Sequence, residues 1–126
     1  MRTIIAGSRT IVDYDTVATA IAESGFNITE VVSGGARGVD TVGELWAENN
    51  GIPVTRFLAD WNKYGRAAGN RRNVQMAEYA DALVCCWDGT SSGSADMISQ
   101  ARRYNLKTHV SRQADPVAPS IFDLVV

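Results

Sequence analysis

The residues best suited to chemistry in this chain of 126 residues fall in four short polar stretches. The fullest is Ser33-Gly34-Gly35-Ala36-Arg37-Gly38-Val39-Asp40, which follows the apolar pair Val31-Val32. It opens into a segment with helical spacing, marked by Val39, Val42 and Trp46. Strand, glycine turn and helix start thus come in succession. Glycine lets a backbone turn sharply and approach a ligand with no Cβ in the way. A helix starting there aims unpaired N–H groups and the positive end of its dipole at the gap, which suits a phosphate or another small anion. Arg37 adds a planar guanidinium able to hold phosphate in bidentate fashion. Ser33, Gly34, Gly35, Arg37 and Gly38 are therefore candidate ligand-binding residues. Asp40, in the first helical turn, either caps the helix or accepts a hydrogen bond from a ribose hydroxyl. The pattern is neither the dinucleotide fingerprint nor the phosphate loop that ends in Gly-Lys-Ser/Thr. A strain-free strand-to-helix turn is the plainer reading of the same glycines.

Three further stretches add candidates. Gly7, Ser8 and Arg9 offer an open backbone, a hydroxyl and a guanidinium after the first apolar run. Asn70-Arg71-Arg72-Asn73 opens a helix, where two arginines sit badly with the local dipole and point to an anionic partner. Arg72 and Asn73 are the candidates there, and Arg71 is assigned to solvent. Asp88, Gly89, Ser91, Ser92 and Gly93 suit recognition of hydroxyls and phosphate, with a helix cap as the plainer alternative. Trp61 and Tyr64 offer faces for a base to stack on, or anchors for their loop. Trp46 reads as core, and His109, the only histidine, is given no catalytic role. Nothing resembles a nucleophile–base pair or a set of metal ligands, so neither a metal nor a cofactor is expected.

The elements that must position these stretches alternate along the chain. Strands are expected at Arg2 to Ala6, Glu30 to Ser33, Ile52 to Leu58, Ala82 to Trp87 and Lys107 to Val110. Helices are expected from Asp13 or Asp15 to about Ser24, from the glycine loop to about Asn50, from about Asn70 to Tyr79, and from Ser94 to Tyr104. Residues 59–69 form a longer connection. This alternation predicts an α/β fold: a Rossmann-like three-layer sandwich with a five-stranded, mainly parallel sheet flanked by helices. All four polar stretches follow strands or the connection after one, so they share the sheet edge where such folds bind ligands.

Composition narrows the classes. The net charge of −2 argues against a general electrostatic grip on nucleic acid. No apolar run approaches the ~20 residues of a membrane span. The N-terminus enters Thr3-Ile4-Ile5-Ala6 at once, too short for a signal-peptide core. Cys85 and Cys86, the only cysteines, are adjacent and read as reduced core thiols. A cytoplasmic protein is expected.

Taken together, Ser33-Gly34-Gly35-Ala36-Arg37-Gly38-Val39-Asp40, Ala68-Gly69 leading to Arg72-Asn73 and Met76-Ala77, and Trp87-Asp88-Gly89 resemble the SLOG superfamily. That group takes in the DNA-processing Smf/DprA proteins, the lonely-guy phosphoribohydrolases and YspA/YpsA-type domains. The chain is most similar to the small stand-alone YspA-related branch, over roughly residues 2–110. The resemblance implies a Rossmann-like sheet that binds, senses or processes a nucleotide or nucleotide-derived ligand. The lonely-guy enzymes carry Pro-Gly-Gly-x-Gly-Thr-x-x-Glu, whose Glu serves cleavage of a base from a ribose phosphate. Here Ser33 replaces the proline and Arg37 is inserted, so Glu44 lies six residues after Gly38 instead of four. Two extra helical positions rotate a side chain by about 200°. Glu44 and Asp40 are nonetheless the catalytic candidates of an alternative reading, a nucleoside 5'-monophosphate N-glycosidase. A single-stranded-DNA module is a second alternative, disfavoured by charge.

Residues 1–110 thus read as one SLOG-like domain and 111–126 as a tail. Pro116 and Pro119 prevent a regular helix in it, and Ile121-Phe122-Asp123-Leu124-Val125-Val126 is nearly all apolar. Such a segment is expected to pack on its own domain or on an oligomer partner, so a homo-oligomer is expected, most simply a twofold dimer.

Overall fold

The structure, a computed structural model, describes residues 1–113. Five apolar or half-apolar runs form one sheet: β1 (Arg2–Gly7), β2 (Glu30–Ser33), β3 (Val54–Arg56), β4 (Ala82–Trp87) and β5 (Lys107–Arg112). Every neighbouring pair is parallel, in the order β3-β2-β1-β4-β5. The helices are α1 (Tyr14–Ser24), α2 (Val39–Asn49), the single turn α3 (Trp61–Tyr64), α4 (Ala68–Tyr79) and α5 (Ser92–Arg103).

Side chains alternate across a strand, so each central strand feeds both faces. Ile5, Val31, Val84 and Cys86 point to one face and pack with Val17 and Ile21 of α1 and Val39 and Val42 of α2. Ile4, Val32, Leu83 and Cys85 point to the other, against Met76 and Ala77 of α4 and Met97 and Ile98 of α5. This is the expected three-layer α/β sandwich, with a wholly parallel sheet. Fully burying one such aliphatic side chain contributes about 1.5–3 kcal/mol. Cys85 and Cys86 are free and lie on opposite faces. Burial pushes their thiols up to about 12 and about 11.

Local signals set most boundaries. Asp13 caps α1 by accepting from the Thr16 backbone N–H at 3.0 Å, and Gly25 ends that helix in the left-handed region. The third strand is shorter than the expected Ile52 to Leu58. It lies at the sheet edge, Pro53 has no N–H to give, and its one partner β2 has four residues. The fourth helix starts at Ala68 instead of Asn70, because a 3₁₀ turn over Gly65–Ala67 already winds the chain toward it. The fifth strand runs on through Ser111 and Arg112. The expected tail otherwise lies outside the described residues.

The chain builds β1, β2 and β3 outward, then crosses back through α4 to place β4 on the far side of β1. Strand order therefore reverses between β1 and β4. The loops leaving those two strands diverge to opposite faces and open a crevice at their carboxyl ends.

Candidate functional site

A cavity of about 580 Å³ occupies that crevice, within the 300–1,000 Å³ range of small-molecule sites. Ala6 and Gly7 form its back wall at the end of β1, and Met76 and Met97 line it from the two helices on one face. Its polar wall holds three arginines, Arg9, Arg66 and Arg72, and two carboxylates, Asp40 and Asp96. Ser91, Ser92 and Gly93, at the start of α5, complete it.

The glycine loop serves this cavity indirectly. Of its residues only Ala36 and Asp40 line the space. The backbone at Gly34 instead seats Arg72, whose Nη1 donates to the Gly34 carbonyl at 2.7 Å. A Cβ at Gly34 would stand 2.5 Å from that Nη1 and 2.8 Å from an Asp40 carboxylate oxygen. Gly38 has φ +82°, and a Cβ there would meet the Ser8 carbonyl at 2.4 Å. The two positions thus lock Arg72 and the Ser8-Arg9 turn against the loop. Gly35 is exposed, and its N–H donates to Ser33 Oγ at 3.1 Å. Arg37 is exposed and does not line the cavity.

Asp40 is 5 % exposed and does not cap α2, whose N-cap Gly38 makes no side-chain bond. It accepts from the Ala36 N–H at 3.3 Å. Burial raises its carboxyl to about 6, against the pull of the Ala36 N–H and the Arg72 guanidinium. Burial also lowers Arg72, with Asp40 opposing that change and Arg9 adding to it. Arg72 Nε donates to Asn73 Oδ1 at 3.1 Å, and Asn73 Nδ2 donates to Asp96 Oδ2 at 3.0 Å and to the Gly93 carbonyl at 3.3 Å. One chain of bonds therefore runs from the glycine loop through α4 to the start of α5.

Ser8 is buried and acts as a clasp. Its Oγ accepts from the Asp88 N–H at 3.0 Å, tying the loop after β1 to the loop after β4. Asp88 in turn accepts from the Thr90 and Ser91 N–H groups, both at 2.8 Å, and these bonds hold its carboxyl below the usual range. Neither Ser8 nor Asp88 lines the cavity, and Gly89 lies under the Arg112 guanidinium. The N-cap of α5, Ser91, accepts from the Ser94 hydroxyl at 3.4 Å but from no backbone N–H of its helix. The first-turn N–H groups of α5 therefore remain available for an anion at a wall of the cavity.

Glu44 stands apart. It pairs with Arg56 on β3 and accepts from Ser33 Oγ at 2.6 Å, lining a different groove. Arg71 stacks on Tyr64, its guanidinium carbon 4.3 Å from the ring centre, and leaves the cavity to Arg72. Trp61 lines the cavity and lies along α4, where a Cβ at Gly69 would be 3.6 Å from its Cη2. Of the sequence candidates, Gly7, Arg9, Asp40, Arg72, Asn73, Ser91, Ser92 and Gly93 come together here. Ser8, Ser33, Gly34, Gly35, Arg37, Gly38, Asp88 and Gly89 do not line the space. Arg66, Asn70, Ser94 and Asp96 line it without having been singled out. The signal for Asp96 was present: it falls four residues beyond Ser92, one helical turn along from the opening of α5.

The family model for the YspA, cpYpsA-related SLOG family matches residues 1–64, about half of the chain. The match takes in β1, the glycine loop and Asp40. This chain is a member of that SLOG family. It is 36% identical over 112 residues to the Gene 61 protein of Mycobacterium phage D29, covering 81% of this chain and 89% of that relative. No solved structure matches. SLOG membership fits a nucleotide-related function and names no narrower one. Among the described residues, no group of three or more His, Cys, Asp or Glu is placed to hold a metal ion. No helix there is long and apolar enough to cross a membrane.

Proposed function

We propose that this SLOG domain binds a nucleotide or nucleotide-derived ligand in the cavity between the ends of β1 and β4. The observation that carries the reading is the convergence of Arg9, Arg66 and Arg72 with the uncapped start of α5 on one space. Those groups suit phosphate: two guanidinium side chains can chelate its oxygens while helix N–H groups supply further donors. Trp61 offers an aromatic face for a base, and Asp40 or Asp96 an acceptor for ribose hydroxyls. Calorimetry with nucleoside mono- and diphosphates tests this. Saturable binding, weakened in Arg9→Ala and Arg72→Ala variants that keep the wild-type circular dichroism, is expected. No binding of any of them, or binding untouched by both variants, overturns it.

One observation favours turnover at the same site. Asp40, and not Glu44, faces the arginines of the cavity, and burial pushes its carboxyl up to about 6, toward the range that suits a general acid or base. In this second reading water adds to the ribose C1' as the C1'–N bond breaks. Asp40 takes the proton of that water, the base leaves with the bond electrons and picks up a proton, and the arginines keep the phosphate. Free base released from nucleoside 5'-monophosphates by the wild type and not by Asp40→Asn separates enzyme from sensor.

A further inference from the structure

A second groove, of about 670 Å³, runs along the sheet edge between α2 and β3. Leu45 on α2 and Val54 on β3 line it and are 46% and 36% exposed. Glu48 stands on its helix side and makes no ion pair among the described residues, while the Arg56 side chain on its strand side is 60% exposed. The strand is also an open edge. The ladder to β2 uses the Pro53 carbonyl and the Phe57 N–H, so Thr55 turns its peptide groups inward and Val54 and Arg56 turn theirs out of the sheet.

We propose that a second copy of this chain docks on that groove about a twofold axis through Thr55. A twofold copy supplies the strand that the open edge lacks and covers the exposed Val54. Antiparallel pairing about that axis sets Val54 opposite Arg56 of the partner copy, exchanging both peptide hydrogen bonds. It joins two five-stranded sheets edge to edge and leaves both α2 helices on one face. Leu45 then flanks the seam on each side, and Glu48 of one groove faces Arg56 of the other, a guanidinium that already holds Glu44 of its own chain. The interface also reaches the ligand loop. Glu44 lines the groove and holds Ser33, whose hydroxyl receives the Gly35 N–H.

Sedimentation velocity of the full chain tests the proposal. The wild type is expected at twice its 13.6 kDa, with Leu45→Glu at the single-chain mass. Val12→Glu, on an exposed loop residue elsewhere, is expected to keep the dimer. Hydrogen exchange needs no variant and covers a Leu45→Glu that fails to fold: the Val54 and Arg56 amides are expected protected in the dimer and exchanging on dilution. A wild type of single-chain mass at every concentration overturns the proposal, as does a Leu45→Glu variant of wild-type mass. A monomer in which Leu45→Glu speeds removal of residues 119–126 by carboxypeptidase also overturns it, since the groove then holds the chain's own end.

Discussion

Two of the arginines, Arg72 and Arg37, show how one local environment decides a role. Both are close to the glycine turn, yet only Arg72 is drawn into the crevice, because its guanidinium finds the Gly34 carbonyl and a carboxylate partner. Arg72→Ala and Arg9→Ala are each expected to weaken a bound nucleoside monophosphate by about 1.5–3 kcal/mol, roughly 10- to 150-fold, the range for hydrogen bonds to charged groups. Arg37→Ala and Arg71→Ala are expected to change affinity by less than about threefold. Calorimetry on the four variants checks the order. Asp40 makes a second prediction. Its folded value of about 6 lies above the ordinary 3.8, so the folded state holds the proton more tightly than the unfolded chain. Stability from this group is fully present below 3.8 and is lost as pH rises through 6. The difference corresponds to about 3 kcal/mol in full, and roughly 1.4 kcal/mol of it returns between pH 8 and pH 5. Urea unfolding should show that gain in the wild type and not in Asp40→Asn. Equal pH profiles for the two proteins would contradict it.

The elements hold the site by clasps between loops that leave different strands. Ser8 bridges the ends of β1 and β4, and Asn73 bridges α4 to the opening of α5. Ser8→Ala leaves the Asp88 N–H without its acceptor in a part-buried place and is expected to cost about 1–3 kcal/mol in denaturant unfolding. An unchanged midpoint would mean that water replaces the hydroxyl at no cost. Element positions were largely legible in the sequence, since β4 is an unbroken apolar run, β1 carries Ile4-Ile5-Ala6, and Asp13, Gly25 and Gly51 punctuate the helices. The site was legible where a residue follows a strand directly, as with Gly7, Arg9 and Ser91 to Gly93. It was illegible at Arg66, whose place depends on how the 3₁₀ turn after α3 comes to rest beside the crevice. Nor does spacing tell that Gly34 and Gly38 pack against protein, when a ligand would have asked for the same residue type. The short β3 likewise reflects its place at an edge, a property of strand order and not of its own residues.

Across the whole molecule, a single reversal of strand order gathers the polar loops, and the charge is local. The chain carries a net charge of −2, yet three arginines face one cavity. A small anion therefore fits better than a polyanion that must be gripped over many phosphates. Oligonucleotide binding with a steep salt dependence is not expected, and fluorescence anisotropy at rising salt would reveal it. Nucleotide binding in the crevice is tested most simply by an NMR titration of the labelled full chain with adenosine 5'-monophosphate, read amide by amide. Saturable shifts are expected to centre on Arg9, Ala36, Gly69 and residues 91–94, around the crevice between β1 and β4. Shifts confined to the groove between α2 and β3, or no shifts with any nucleoside phosphate, would contradict it.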